Sequence, residues 1–515
     1  MHRSRMKPPS VPTGLKASPL RNEEYDLQPQ LLERLRRSRI FTLALFTIVV
    51  VLLYADQNLM APNLSAIAED FGFSDEEKDR RLGGDIAVAF FGFGAPASLV
   101  IGWLTDVVDR RKLFVAIVLV GEIGALATVW VTTYSQLYWT RALTGVAIGG
   151  GIPLVFSILG DLVGASRRTE ASGLIGISLG LGQGMGQVIA GFTGRATSLG
   201  WRFPFLLVSA PCVVLSAVLY VATRDPPRGR SEQGLQDHFQ AGGEYTERPN
   251  LKGLRLLVFC PTVIMVLAQG LPGCIPWGVI GVYLNDFLHK QRGLTIEQAT
   301  TVVVLFGVSA SVGQLAGAKI GQLAYNRHAV LQSLLMGATT IGGVVPCVML
   351  VRYDGGIVWI YALYAIMGGI LAAVTGPNVR SVLMNVTLPS TRGTAFGVFN
   401  LFDDLGKGLG PALVSLIVAK SGREKAFTNA MLAWLACGAI LLSTAFTVRR
   451  DEAKVQAHLT EYAKAHAVNT GSRFPLSLPM RALSGGAQYY AVSDDDVPGG
   501  TERDSVAFTF DEERA

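Results

Sequence analysis

From about residue 40 to residue 447 the chain is a succession of apolar stretches, most of them roughly 20 residues long, separated by short polar connections. A stretch of that length matches the hydrocarbon thickness of a bilayer. Inside that layer every backbone N–H and C=O must be satisfied by the protein itself, which each stretch achieves by folding as an α-helix. Twelve spans are expected, at about 40–62, 83–104, 112–132, 136–160, 169–194, 203–222, 253–287, 299–322, 330–352, 356–384, 391–419 and 426–447. The fold class is therefore an all-α integral membrane protein. The seventh stretch is too long for one straight crossing and contains Gln269-Gly270-Leu271-Pro272-Gly273-Cys274-Ile275-Pro276-Trp277-Gly278, which is expected to break or bend it.

The spans were built twice. A shift of 224 residues lays Gly369–Gly410 over Gly145–Gly186 without a gap, and 13 of 42 positions match. Composition alone gives roughly three or four. The matches include Pro153/Pro377, Ser157/Ser381, Arg168/Arg392, Ala171/Ala395, Gly173/Gly397, Gly182/Gly406, Gly184/Gly408 and Gly186/Gly410. Parallel repeats of membrane helices are a common construction of secondary transporters. Two six-helix bundles, 40–222 and 253–447, are expected on either side of a polar linker, 223–252.

Composition excludes the alternatives. With 515 residues, 50% hydrophobic and 16% charged, the chain is too apolar for soluble domains. The net charge of +6 resides in arginines at span ends and not in a basic stripe interleaved with aromatics, so no nucleic-acid partner is implied. Basic residues concentrate in alternate connections: Arg34 to Arg39, Arg110-Arg111-Lys112, Arg167-Arg168, the linker, Arg327, Arg392 and Arg449-Arg450. The positive-inside rule then puts both termini in the cytosol. Residues 1–39 and 448–515 are polar and are expected to be largely disordered tails, with a short helix near Asp451 to Ala467. The five cysteines lie within apolar runs and suggest neither a disulfide framework nor a metal site. No cofactor is expected. No nucleophile-base pair or phosphate loop is visible, so an enzyme is not expected.

Between spans two and three the chain reads Gly102-Trp103-Leu104-Thr105-Asp106-Val107-Val108-Asp109-Arg110-Arg111-Lys112. This resembles the signature loop of the major facilitator superfamily, and Gly321-Gln322-Leu323-Ala324-Tyr325-Asn326-Arg327 resembles its worn second copy. The resemblance implies two six-helix bundles that rock around a central cavity. It also implies a cytosolic gate in which Asp106 meets the start of span eleven and Arg392, with Gly102, Leu104, Arg110, Arg111, Gly321, Arg327 and Arg168 in the same motif set. Val107 and Asp109 depart from the family pattern.

Tyr54-Ala55-Asp56, Arg141-Ala142-Leu143-Thr144-Gly145, Pro153, Asp161 and Arg168 are similar to the Spinster-like branch, whose members include sphingolipid and lysophospholipid transporters. Gln57 and Ile148 stand where that branch carries an arginine and an acid.

A charge at the centre of a membrane costs about 2.5–3.5 kcal/mol on insertion scales, so ionisable residues within spans are the remaining clues. They are Asp56, Glu122, Arg141, Lys319, Arg380, Asp403, Asp404 and Lys407. Lys407 lies three and four residues after the two aspartates and can pair with either, leaving one negative charge over. Lys319 and Arg380 read as snorkelling to the interface. The expected path residues are Asp56, Gln57, Arg141, Gln269, Trp277, Asn378, Arg380, Asn400, Asp403, Asp404 and Lys407. The expected function is alternating-access transport of an amphipathic or lipid-like organic substrate by a monomer in the bilayer. The alternatives are a proton-coupled symporter or antiporter of a small polar solute and a non-transporting receptor of the same fold.

Overall fold

A computed structural model describes residues 39–467, apart from 75–76, 195–197 and 250. The two outermost tail segments, 1–38 and 468–515, for which disorder is expected, lie outside the described residues.

The first half contains α1 (Arg39–Gln57), α2 (Ile86–Val107), α3 (Arg110–Ala127), α4 (Tyr134–Leu162), α5 (Arg168–Thr193) and α6 (Phe203–Ala222). The second contains α7 (Pro261–Arg292), α8 (Ile296–Arg327), α9 (Ala329–Arg352), α10 (Val358–Asn385), α11 (Arg392–Ser421) and α12 (Arg423–Ser443). Among the described residues eleven helices are long and apolar enough to cross a membrane. The exception is α11, 30 residues long, which carries Asp403, Asp404 and Lys407 in its middle turns.

Local signals set several boundaries. Thr133 with Gln136 and Thr295 with Gln298 form reciprocal capping boxes that start α4 and α8. Asp109, a departure from the family motif, starts α3 by accepting from Lys112 N at 2.9 Å. Gly293, at φ +69°, ends α7 in the left-handed conformation.

Of the two outcomes expected for the seventh stretch, a break does not occur at the prolines. A separate helix, Leu251–Val258, ends before Cys260, and α7 then runs uninterrupted through Pro272 and Pro276. Packing supports the weakened turn: Trp434 Nε1 donates to Gly273 O at 2.8 Å.

Two of the glycine pairs matched by the repeat, Gly182/Gly406 and Gly186/Gly410, are sites of helix contact within each half. Gly182 and Gly186 of α5 press on Val51 O and Ala55 O of α1, where an added Cβ would lie 2.4 and 2.0 Å away. Gly406 and Gly410 of α11 press in the same way on Leu271 O and Ile275 O of α7. Each half thus uses one glycine face to seat its own first helix.

Between the halves, contacts gather at the linker end. There Gly102 meets Gly393 and Gly397, Ser98 donates to Gly397 O at 3.1 Å, Gly173 meets Ala318, and Thr169 N donates to Gln322 Oε1 at 2.8 Å. Phe156 of α4 stacks on Phe396 of α11, with centroids 5.0 Å apart. One and two turns beyond Gly176 on α5, Gly180 and Gly184 have nothing within 4 Å of where a Cβ would stand. The halves are closed on the linker side and part towards the other.

The short helix expected near Asp451 to Ala467 is present and starts one turn earlier. Helix α13 (Val448–Ala467) buries Val455 and Leu459 against Leu235 and Tyr245 of the linker and Leu388. Apolar residues at i and i+4 give it a face to bury, and the linker supplies the surface.

Candidate functional site

At the linker-side closure, Asp106 ends α2 against the first turn of α11. It accepts from Gly393 N, Thr394 N and Thr394 Oγ1, each at 2.7 Å. A carboxylate there satisfies amides that have no intrahelical acceptor, at the positive end of the helix dipole. The expected partner, Arg392, is elsewhere. Its side chain turns back to Asp161 at 3.1 Å and Glu232 at 2.7 Å.

The repeat explains where Arg392 goes. Arg168 donates to Asn385 Oδ1 at 2.9 Å and Gly160 O at 2.8 Å. Its counterpart Arg392 donates to Asp161 and, at 3.2 Å, to Met384 O. Asn385 and Met384 lie 224 residues after Asp161 and Gly160, so the two arginines make reciprocal contacts across the halves. The copies differ in charge, because Asp161 is matched by a neutral Asn385.

Glu232 of the linker supplies the missing carboxylate, since one oxygen accepts from both Arg168 and Arg392 and the other accepts from Gln456 of α13 at 2.9 Å. Burial acts to raise the Glu232 carboxyl, but the two guanidiniums outweigh it and hold it below its ordinary value.

Arg110 completes the cluster by pairing with Asp161, and with Asp225 of the linker at 3.0 Å. Arg111 donates to Thr223 O at 2.7 Å. Arg228 donates to Thr105 O at 2.7 Å and stands 4.0 Å from Asp106.

Above the Phe156–Phe396 stack lies the second group of polar residues. On α11, Asp404 pairs with Lys407 at 3.3 Å and accepts from Asn400 Nδ2 at 3.0 Å. Asp403 turns onto α7, against Gly270 and Cys274. Arg380 of α10 lies over the Phe156 ring, 5.4 Å from its centroid, and so does not snorkel to the interface. From the first half come Tyr54, within electrostatic reach of Asp404, Lys407 and Arg380, and Gln57, which accepts from Gln183 at 3.0 Å.

A third group is sealed inside the first half. Asp56 is 0% exposed and its carboxylate stands 3.8 Å from Arg141, which is 2% exposed and stacked on Phe205. Glu122 of α3 lies in the same interior beside Ser209 and Cys212, and neither its oxygens nor those of Asp56 have a hydrogen-bond partner.

This arrangement of two halves, a shared closure and a duplicated arginine agrees with the comparison to known families. The description Major Facilitator Superfamily matches residues 46–411. The chain belongs to the major facilitator superfamily.

Within the superfamily it is 29% identical to "Citrate exporter 1" of Yarrowia lipolytica over 40% of this chain and 29% of that protein. It is 23% identical to "Protein spinster homolog 3" of Mus musculus over 69% of this chain and 74% of that protein, which supports the Spinster resemblance. The chain thus spans under a third of the citrate exporter's length and about three quarters of the spinster homologue's. The crystal structure of the human organic anion transporter MFSD10 has the same fold, with a TM-score of 0.60 at 16% identity, covering 78% of this chain and 99% of that one.

In this facilitator fold several residues expected on the path serve other contacts. Asn378 is buried in the closure, donating to Gly317 O and Val374 O and accepting from Gln332. Gln269 is buried between α7 and α12, where Cys437 Sγ donates to its Oε1 at 3.3 Å. Trp277 packs between Phe306 and Trp434. Asp56 and Arg141 face the interior of their own half.

Of the gate residues, Leu104 is partly buried, and Gly321 lies so close to Asn378 that a Cβ would overlap it. Arg327 is exposed and joins none of these pairs. Sequence reasoning missed Glu232, Asp225 and Arg228. A usable signal existed for the first, since a repeat that keeps both arginines and loses one acid needs a carboxylate from outside.

Proposed function

We propose that the chain is a secondary transporter working by alternating access, carrying an amphipathic or lipid-like organic substrate through the cavity between its halves. The observation that carries this reading is the one-sided closure: the halves are latched at the linker end and separated beyond Gly176, with polar groups, the unpartnered Arg380 Nε among them, in the gap. By the positive-inside rule the linker end is cytosolic, with both termini, so the state described opens to the opposite side. The functional halves are 40–222 and 253–447. Tyr54, Gln57, Arg380, Asn400, Asp404 and Lys407 line the path, and Asp106, Arg110, Arg168 and Arg392 gate it.

The Spinster resemblance supports a lipid-like body for the substrate, and the citrate exporter supports an acidic one. A second reading, proton coupling, is favoured by the sealed group of Asp56, Glu122 and Arg141. Two buried acids stand there with one arginine, which pairs with Asp56 at 3.8 Å and leaves Glu122 without an ion pair among the described residues.

The test is purified chain in liposomes with an imposed pH gradient, screened for flux of labelled lysolipids and small organic anions. Flux of either class supports transport. Absence of flux across the whole panel refutes it in favour of the receptor reading, and gradient-independent flux removes proton coupling.

A further inference from the structure

We propose that Arg380 is the anchor for an acidic group on the substrate, so that the cavity selects organic anions. The proposal rests on the transport reading of the cavity and deepens it.

The buried arginines of the gate and of the first half each have a carboxylate partner. Arg110 and Arg392 meet Asp161, Arg168 meets Glu232, and Arg141 meets Asp56. Partly buried Arg111 has no carboxylate, but its guanidinium donates to Tyr220 O at 3.1 Å and Thr223 O at 2.7 Å. Arg380 differs from all of them: among the described residues it has no ion pair, and its Nε is buried with no hydrogen-bond partner. Its guanidinium has room, since Nη1 stands 3.6 Å from the Cβ positions of two residues that are both glycine, Gly176 and Gly376. A planar guanidinium held on an aromatic ring with an unused edge is the geometry for a forked hydrogen bond to a carboxylate or phosphate.

The carboxylates nearby are engaged elsewhere. Asp403 is pressed onto α7, where its Oδ1 stands 2.9 Å from the Cβ position of Gly270. Asp404 is held by Lys407 at 3.3 Å and by Asn400 Nδ2 at 3.0 Å. Neither forms an ion pair with Arg380 among the described residues, so an incoming acid meets a guanidinium that no carboxylate has taken.

The position also suggests how binding reaches the gate. Arg380 stacks on Phe156, and Phe156 stacks on Phe396 across the halves. An acid drawn to Arg380 therefore competes for the group that rests on the floor of the cavity.

The experiment uses the purified full chain in detergent and reads thermal unfolding during titration with benzoate, phenyl phosphate, benzylammonium and benzyl alcohol at matched ionic strength. Benzoate, phenyl phosphate or both should raise the unfolding temperature, and the larger response distinguishes a carboxylate site from a phosphate-ester site. In Arg380→Gln the anion should bind at least tenfold more weakly, and in Arg380→Lys, which keeps the charge and loses the fork, to an intermediate degree. If the glutamine variant does not fold, the lysine variant decides. Equal responses to the cation or the alcohol, anion binding within twofold of wild type in the variants, or no response to either anion each overturns the proposal. Anion binding without liposome flux would overturn the transport reading alone, and flux without anion binding would overturn this one alone.

Discussion

Glu232→Gln tests the linker-side closure most directly. Arg168 and Arg392 are fully buried, and one Glu232 oxygen accepts from both. Removing one partner of a buried pair typically costs about 3–5 kcal/mol, because it strands the other charge. Here each arginine keeps other acceptors, Arg392 through Asp161 and Arg168 through Asn385 and Gly160, so the lower end, about 3 kcal/mol, is expected. At about 1.4 kcal/mol per factor of ten, that is roughly a hundredfold shift from closed to open at the linker side.

The readout is maleimide labelling of Ser381→Cys, a position that is 0% exposed and hydrogen-bonded across the halves to Thr169. Labelling should accelerate by about two orders of magnitude in Glu232→Gln. Adding Asn385→Asp should largely restore protection, because it places a carboxylate where Arg168 already donates at 2.9 Å and removes an amide nitrogen that is buried without a partner. An unchanged labelling rate in the single variant, or no recovery in the double, would refute the assignment of Glu232 as the replacement for the acid missing from the second copy.

Asp106→Ala should leave a folded protein with impaired transport and faster labelling of the same cysteine, and Asp106→Asn should be milder; wild-type rates in the alanine variant would remove the latch. The Glu232 carboxyl is held below its ordinary value, so its contribution is complete above the ordinary carboxylate range and is lost only as pH falls through the lowered value. The part of the Ser381→Cys protection that Glu232→Gln removes should accordingly be constant between about pH 6 and 8 and be lost only in acid below about pH 4, and a midpoint near neutrality for that difference would contradict the pairing. Gly186→Ala places a Cβ 2.0 Å from Ala55 O and should destabilise by about 1–3 kcal/mol, whereas Gly184→Ala, facing open space, should be near neutral; thermal unfolding compares them.

The fold was legible because its determinants repeat or run for whole helices. The spans follow from apolar length, and among the duplicated glycines that revealed the repeat, Gly182/Gly406 and Gly186/Gly410 are those that seat α1 and α7. The gate was legible only in part. Asp106 could be placed at the start of α11 by family resemblance, but its acceptor role towards backbone amides leaves no trace in side-chain identity, and the nearby arginine drew a pairing the geometry does not make. Glu232 lies in a linker whose path depends on α13, so its position was not readable locally.

Residue spacing allowed Lys407 to pair with either aspartate; only the rotation of α11 against α7 decides for Asp404. Asn378 and Gln269 looked like path residues because polar groups in spans are rare, yet both are satisfied inside the protein. A polar residue at membrane depth has two possible origins, a cavity or a buried contact, and hydropathy does not separate them.

The Asp106 contact has a consequence for how this gate can change over evolutionary time. Two of its three donors are amide nitrogens, which no codon change other than one to proline can delete. The latch is mutable almost entirely from one side. Selection for a looser or tighter closure should therefore record itself at position 106 and in the linker, while the opposing helix start stays free to vary in side chain as long as residues 102, 393 and 397 remain small enough for the backbones to meet.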